Sequence, residues 1–212
     1  MKIAIAPVAL LLLSGSAEAG THRPTFEELG RACVPIKLDL GCSVDSVGFF
    51  NDAPGGGRLY WQIQQGASGD DGVGGGIVLL REDGDRLRPV LHHFEASRYE
   101  QPRWRLDEDG VPLLILSGTS GGTSASPMAH LYRWDDARWR PVDLDQWMYQ
   151  VPGMADGLTI QSGVEIDFEQ MRAVTPLWRD RDGHCCPSGG WARLRFEIRN
   201  DVLHLTELRH TP

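Results

Sequence analysis

Three groups of residues in this chain have the types and spacing to do chemistry. His92-His93 followed by Glu95 places two imidazoles and a carboxylate close together, a set able to hold a metal ion or to exchange protons. Their spacing singles out neither role. His184-Cys185-Cys186 offers a nitrogen and two sulfurs, but it lacks the C-x-x-C spacing of zinc sites, so oxidised sulfur is the simpler reading. Asp107 and Asp109, with Glu108 between them, are the calcium candidates. A calcium ion takes six to eight oxygens, so these side chains would need ligands from elsewhere, and a solvated turn explains them as well. Two further acid pairs, Asp143 with Asp145 and Glu165 with Asp167, have the form of glycosidase carboxylates; Asp167 more simply caps a turn.

Serines in the Gly-rich stretch are a separate temptation. Gly122-Thr123-Ser124-Ala125-Ser126-Pro127 looks like the nucleophile segment of subtilisin-like proteases, and Gly118-Thr119-Ser120-Gly121-Gly122 like the trypsin-like one. The first lacks a residue between its Ser and its Pro, and the second has Thr where Asp is needed. Neither family's His or Asp motif occurs, so no triad can be assembled from sequence.

The elements that must position these residues begin after a leader. Lys2, an apolar run from Ile3 to Leu13 and the small-x-small tripeptide Ala17-Glu18-Ala19 read as a cleavable signal peptide over residues 1–19. That run is shorter than the about 20 residues that span a bilayer, and no second one follows, so no membrane span is expected. The expected location is periplasmic or secreted. In such a compartment Cys33, Cys42, Cys185 and Cys186 read as two disulfides. The local pairing of Cys33 with Cys42 and Cys185 with Cys186 is preferred slightly, while crossed pairings between the chain ends stay open. A net charge of −8 and the lack of a dense Lys/Arg block disfavour nucleic acid and anionic membrane as partners.

A shift of 52 residues lays Leu79–Val90 on Leu131–Val142 with seven of twelve positions identical, and the ungapped register continues upstream through Ile63 on Ile115 and Gly66 on Gly118. Each copy reads as a strand, a Gly/Ser-rich loop, a second strand, a tight turn at Asp83-Gly84 or Asp135-Asp136, and a third strand ending in Arg-Pro-Val. A looser third copy follows, in which Arg193-Leu194-Arg195-Phe196-Glu197-Ile198 alternates as a half-buried strand should. The predicted fold is mostly β, with antiparallel repeated three-stranded meanders in an open or partial propeller-like sheet; a β-sandwich is the alternative. Three units are too few for a closed propeller. Residues 20–58 read as an N-terminal segment with Cys33 and Cys42, and 59–212 as the β-repeat domain, with units at 59–90, 111–142 and 173–208. One or two short helices are predicted, from the capping-box pattern at Thr25-Phe26-Glu27-Glu28 and from Asp143-Leu144-Asp145-Gln146. The stretch from Gly41 to Gly57 reads as irregular. Seven Trp residues, several beside Arg, are expected to point inward from strands whose arginines face water.

The run Leu106-Asp107-Glu108-Asp109-Gly110-Val111-Pro112-Leu113-Leu114-Ile115 resembles the FG-GAP or VCBS type of β repeat, in which an acidic turn precedes an apolar strand and can hold calcium. Leu113 and the Gly55-Gly56-Gly57 turn of the first copy depart from that pattern. The Cys185-Cys186-Pro187-Ser188-Gly189 segment is similar to one in a set of exported bacterial proteins of unknown function, a resemblance of layout that implies no activity. The expectation is a non-catalytic exported β-repeat module that binds a protein or an envelope glycan through its loops. The alternative is a secreted hydrolase using loop carboxylates or Ser/His groups.

Overall fold

The computed structural model describes residues 24–35, 38, 40–68, 72–121, 125–161 and 163–212. The leader read at 1–19 and Ser124 lie outside them. The first element is helix α1 (Phe26–Leu29), which opens with the capping box its sequence implies: Glu28 N donates to Thr25 Oγ1 at 3.4 Å, and Thr25 N donates to Glu28 Oε2 at 2.8 Å.

Strands β1 (Leu40–Phe50), β2 (Leu59–Ser68), β3 (Gly72–Asp83) and β4 (Arg86–His93) form the first antiparallel sheet in that order. Next come β5 (Arg98–Tyr99), β6 (Arg103–Leu106), β7 (Pro112–Thr119), β8 (Pro127–Trp134) and β9 (Trp139–Val142), which form the middle sheet. There β5 and β6 both pair with β7, followed across the sheet by β8 and β9. A 3-10 turn (Gln146–Gln150) runs into α2 (Val151–Met154). The last sheet is β10 (Ile166–Asp167), β11 (Arg172–Pro176), β12 (Trp191–Arg199) and β13 (Val202–Thr211), again in chain order. The chain is thus mostly β and built of antiparallel meanders.

The 52-residue period is visible in the strand arrangement. Strands β2, β3 and β4 fall on β7, β8 and β9. The two tight turns place counterpart residues at positive φ, Gly84 at 66° and Asp136 at 68°, and both hairpins close in one register, Glu82 opposite Leu87 and Trp134 opposite Trp139. Between the first two strands of each unit the register differs by two residues: Ile63 pairs with Ile77, but Ile115 pairs with Leu131. An even slip keeps every side chain on its own face, so it leaves the core intact.

The faces explain how the sheets stack. Trp61, Ile63 and Leu79 of the first sheet pack toward the middle sheet, whereas their counterparts Leu113, Ile115 and Leu131 pack toward the last one. Tyr60, Val78 and Leu80 face the α1 segment, packing with Leu29 and Val34. The last sheet has one buried face: Leu194, Phe196, Leu203 and Leu205 pack under Trp147, Val151 and Ala155 of the 3-10 turn and α2, and Ile198 on the same face also meets the middle sheet's core, while Arg193, Arg195 and Glu197 on the other face are exposed. The order is therefore an N-terminal cap and three sheets face to face, with the helical segment packed on the inner face of the last sheet. Among the described residues no core cluster joins the first sheet to the last.

The N-terminal cap is held by polar groups. Gln62 and Gln64 are both buried, where their counterparts in the middle sheet are Leu114 and Leu116. Gln62 Nε2 donates to Leu29 O and Ala32 O, its Oε1 accepts from Val34 N at 2.8 Å, and Gln64 Nε2 donates to Val34 O at 2.9 Å. An irregular segment brings unpaired backbone groups to a sheet face, and the glutamines supply the partners those groups need.

The stretch read as irregular, Gly41 to Gly57, is instead strand β1 as far as Phe50. It is an edge strand with register shifts between Leu40 and Ser43 and between Val44 and Ser46, and most of its side chains are half-exposed or exposed, which erases clean alternation. Gly48 is required there because a side chain would run into the Trp61 ring. Cys33 lies at disulfide distance from Cys42, and Cys185 from Cys186. No helix among the described residues is long and apolar enough to cross a membrane.

Candidate functional site

The seam between the first and middle sheets gathers titratable groups. Its first member depends on a bulge. In β4, Pro89 lies opposite Leu80 and Leu91 opposite Leu79, so Val90 is an extra residue. Before it, Leu87 faces the α1 cap; after it, Leu91 packs on the core shared with the middle sheet, and His93, opposite Ile77, points the same way. Without the extra residue, alternation would turn His93 toward the cap. His92 falls on the other face and stacks on Phe94, centroids 5.2 Å apart.

Across the seam, β8 presents His130 and Tyr132 two residues apart on one face. The His93 and His130 rings stack, with centroids 3.8 Å apart and planes 16° from parallel. His93 Nε2 forms a short hydrogen bond with the Tyr132 hydroxyl. Glu95, from the loop after β4, brings Oε2 to 3.4 Å from His93 Nδ1 and 3.1 Å from His130 Nε2. That second approach lies off the hydrogen-bond direction, and His130 Nε2 is buried without a hydrogen-bond partner. The loop is braced by Glu95 N, which donates to the Tyr99 hydroxyl at 3.3 Å.

Burial sets the protonation of this cluster. Desolvation holds the His93 imidazole below its ordinary value despite the opposing pull of Glu95, and it lowers His130 with help from His93. Tyr132 is pushed up to about 12 by burial and by the Glu95 charge, and Tyr99 is raised chiefly by burial. Carboxylate, imidazole and hydroxyl line up in the order of a hydrolase relay, but the hydroxyl is a buried phenol that stays protonated. It is no nucleophile at neutral pH. What the arrangement offers is two neutral imidazoles and a carboxylate that is 63% exposed.

A second feature lies at the seam of the middle and last sheets. Strand β9 stops at Val142, whereas its counterpart β4 runs on to His93, because the chain leaves at Asp143 to bridge Val202 of the last sheet. The Pro127–His130 half of β8 thereby has no strand partner on that side among the described residues, and a cleft of about 440 Å3 opens beside it. Buried Trp147 and Phe168 and half-buried Met128, Leu144, Val164 and Ile166 line it, with exposed Glu100, Arg103 and Glu165 around them. The seam is pinned by Arg105 Nη1, which donates to Phe168 O at 2.6 Å and Glu169 O at 2.7 Å.

Glu165 lines this cleft, while Asp107, Asp143 and Asp167 are engaged in turn hydrogen bonds. Asp107 Oδ1 accepts from Asp109 N at 3.0 Å and Val111 N at 2.7 Å, while Arg133 Nη2 lies 3.3 Å from Asp107 Oδ2 and 3.7 Å from Asp109 Oδ2. The positive charge between these two carboxylates is thus a guanidinium. Asp143 and Asp167 each accept backbone N–H bonds from the turns that follow them. Exposed His184 meets Gln161, with Cys185 and Cys186 paired to each other beside it. Trp61, Trp147 and Trp178 are buried, but Trp191 is 56% exposed.

Of the first chemical set, the structure brings His93 and Glu95 together and sends His92 away. His130 escaped sequence reading because it comes from another sheet. The one available signal was the repeat: His130 falls on Val78, a fully buried core position of the first unit, and a histidine in place of a core valine marks the site where the copies diverge. No protein-family model and no curated protein matches the chain.

Proposed function

We propose that this chain is an exported, non-catalytic binding protein that seats an extended segment of a partner protein in the cleft between the middle and last sheets. The observation carrying this reading is the character of that cleft: an apolar floor and walls including Leu144, Trp147 and Phe168, ringed by a few charges, in a volume typical of ligand sites. The Met148 side chain, 40% exposed beside the cleft, adapts to varied apolar partners. Sheet edges border it: β6, which carries Arg103, and β10, which carries Ile166, each pair with a single strand among the described residues. An extended peptide can add backbone hydrogen bonds there, an option a glycan lacks, and this favours protein.

A photo-crosslinking amino acid at Met148, compared with one at Phe49 on β1, tests the reading in envelope preparations. A discrete adduct from position 148 alone is expected. No adduct, or the same adducts from both positions, would reject the cleft. The hydrolase alternative draws on Glu100 and Glu165, which line the same cleft. Turnover that disappears in Glu165→Gln would replace binding with catalysis.

A further inference from the structure

We propose that His93, Glu95 and His130 form a binding site for a divalent transition-metal ion, with zinc the best fit, at the seam of the first and middle sheets. One nitrogen from each histidine and a Glu95 oxygen all lie within 4.8 Å of one another. Zinc holds nitrogen and carboxylate oxygen at about 2.0 to 2.2 Å, so tetrahedral donors stand about 3.3 Å apart. The two oxygen-to-nitrogen spans, 3.4 Å to His93 and 3.1 Å to His130, already match that separation. Two imidazoles and one carboxylate make a donor set of intermediate softness, which suits zinc and its first-row neighbours rather than calcium or magnesium.

The surroundings supply what such a site needs. His130 Nε2 is buried with its hydrogen-bonding capacity unused. His93 Nε2 faces the Tyr132 hydroxyl, so in the metal-bound form this nitrogen carries the ring proton and donates it to Tyr132, leaving the Nδ1 lone pair for the ion. The stacked rings must fan apart about their side-chain bonds to aim both lone pairs at one point. Glu95, on a loop and largely exposed, can follow that movement and leaves a fourth position open to water. The site is thus of the open type, three protein ligands plus solvent. Nothing in this assignment depends on the cleft at the other seam.

The test uses the protein without a histidine tag, titrated with zinc in a non-coordinating buffer and followed by calorimetry and by metal content after dialysis. One ion per chain is expected. Glu95→Gln, at an exposed loop position where folding is not at stake, and His130→Gln should each weaken binding by more than about 100-fold, and Tyr132→Phe by roughly 10- to 100-fold, as loss of an outer-shell partner does. His92→Gln and His184→Gln should leave binding unchanged. Absence of binding, or binding indifferent to Glu95→Gln, would overturn the site, as would equal weakening by the two control substitutions.

Discussion

The imidazole of His93 lies flat on that of His130, one from each of two neighbouring sheets, with ring centroids 3.8 Å apart. Two positive charges cannot be held at that separation in a half-buried seam, so the stack is an association of neutral rings. It links the fit of the two sheets to protonation.

Acid should therefore loosen the metal-free protein. Both histidines have folded values below the ordinary 6.5, and Glu95, Tyr132, Tyr99 and His92 are the titratable groups around them. A depressed folded value means that the unfolded chain takes up protons first as pH falls. The stability tied to these groups is complete above about pH 6.5 and is lost as pH falls toward the folded values. Urea midpoints measured in chelator should drop between about pH 7.5 and about pH 5, and His130→Gln should flatten that drop. An equal slope in the variant would rule out the histidine pair as its cause.

Gln62→Leu installs the residue found at the equivalent place in the middle sheet, yet it should destabilise the protein. The change strands Leu29 O and Val34 N on a dry face; at about 1 to 3 kcal/mol for each unsatisfied buried group, a loss of about 2 to 4 kcal/mol is expected. Denaturant unfolding measures it directly. Amide exchange should show the 26–34 segment opening before the sheets.

The two cysteine pairs should differ in their effect on stability. Cys33 and Cys42 are nine residues apart and close a loop onto β1, whereas Cys185 and Cys186 are adjacent and close essentially none. Replacing the first pair by serine should cost about 2 to 3 kcal/mol on the loop-entropy model, and replacing the second should cost much less. Melting curves of the two double variants decide the ranking.

Calcium should leave the melting temperature unchanged, since Arg133 already neutralises Asp107 and Asp109. Asp107→Ala should lower stability by about 1 to 3 kcal/mol through loss of the turn bonds to Asp109 N and Val111 N. A calcium-dependent rise in the wild-type melt would contradict this.

Local patterns in the sequence predicted what local forces build. The period that aligns Leu79–Val90 with Leu131–Val142 announced repeated meanders, and Thr25 with Glu28 announced α1. The edge strand β1 was hidden because an edge buries little and its bulges interrupt alternation. The histidine seam was half legible: His93 and Glu95 are neighbours in the chain, but the turn of His93 toward His130 depends on the single extra residue at Val90. A bulge leaves no mark in composition, and residues 37 positions apart on different sheets share no spacing rule.

Counterpart side chains one period apart point the same way along the stack, Trp61 toward the middle sheet and Leu113 toward the last. The joint between two neighbours is therefore a pattern that a further copy could reuse, as carriages share one coupling. No geometric closure limits their number. The stack stops instead at two faces unsuited to a further sheet, the glutamine-held segment on the first sheet and the exposed Arg193, Arg195 and Glu197 row of the last. Gene duplication could lengthen such a protein one unit at a time without redesigning either end, and each added joint would be a fresh surface on which a histidine could replace a valine.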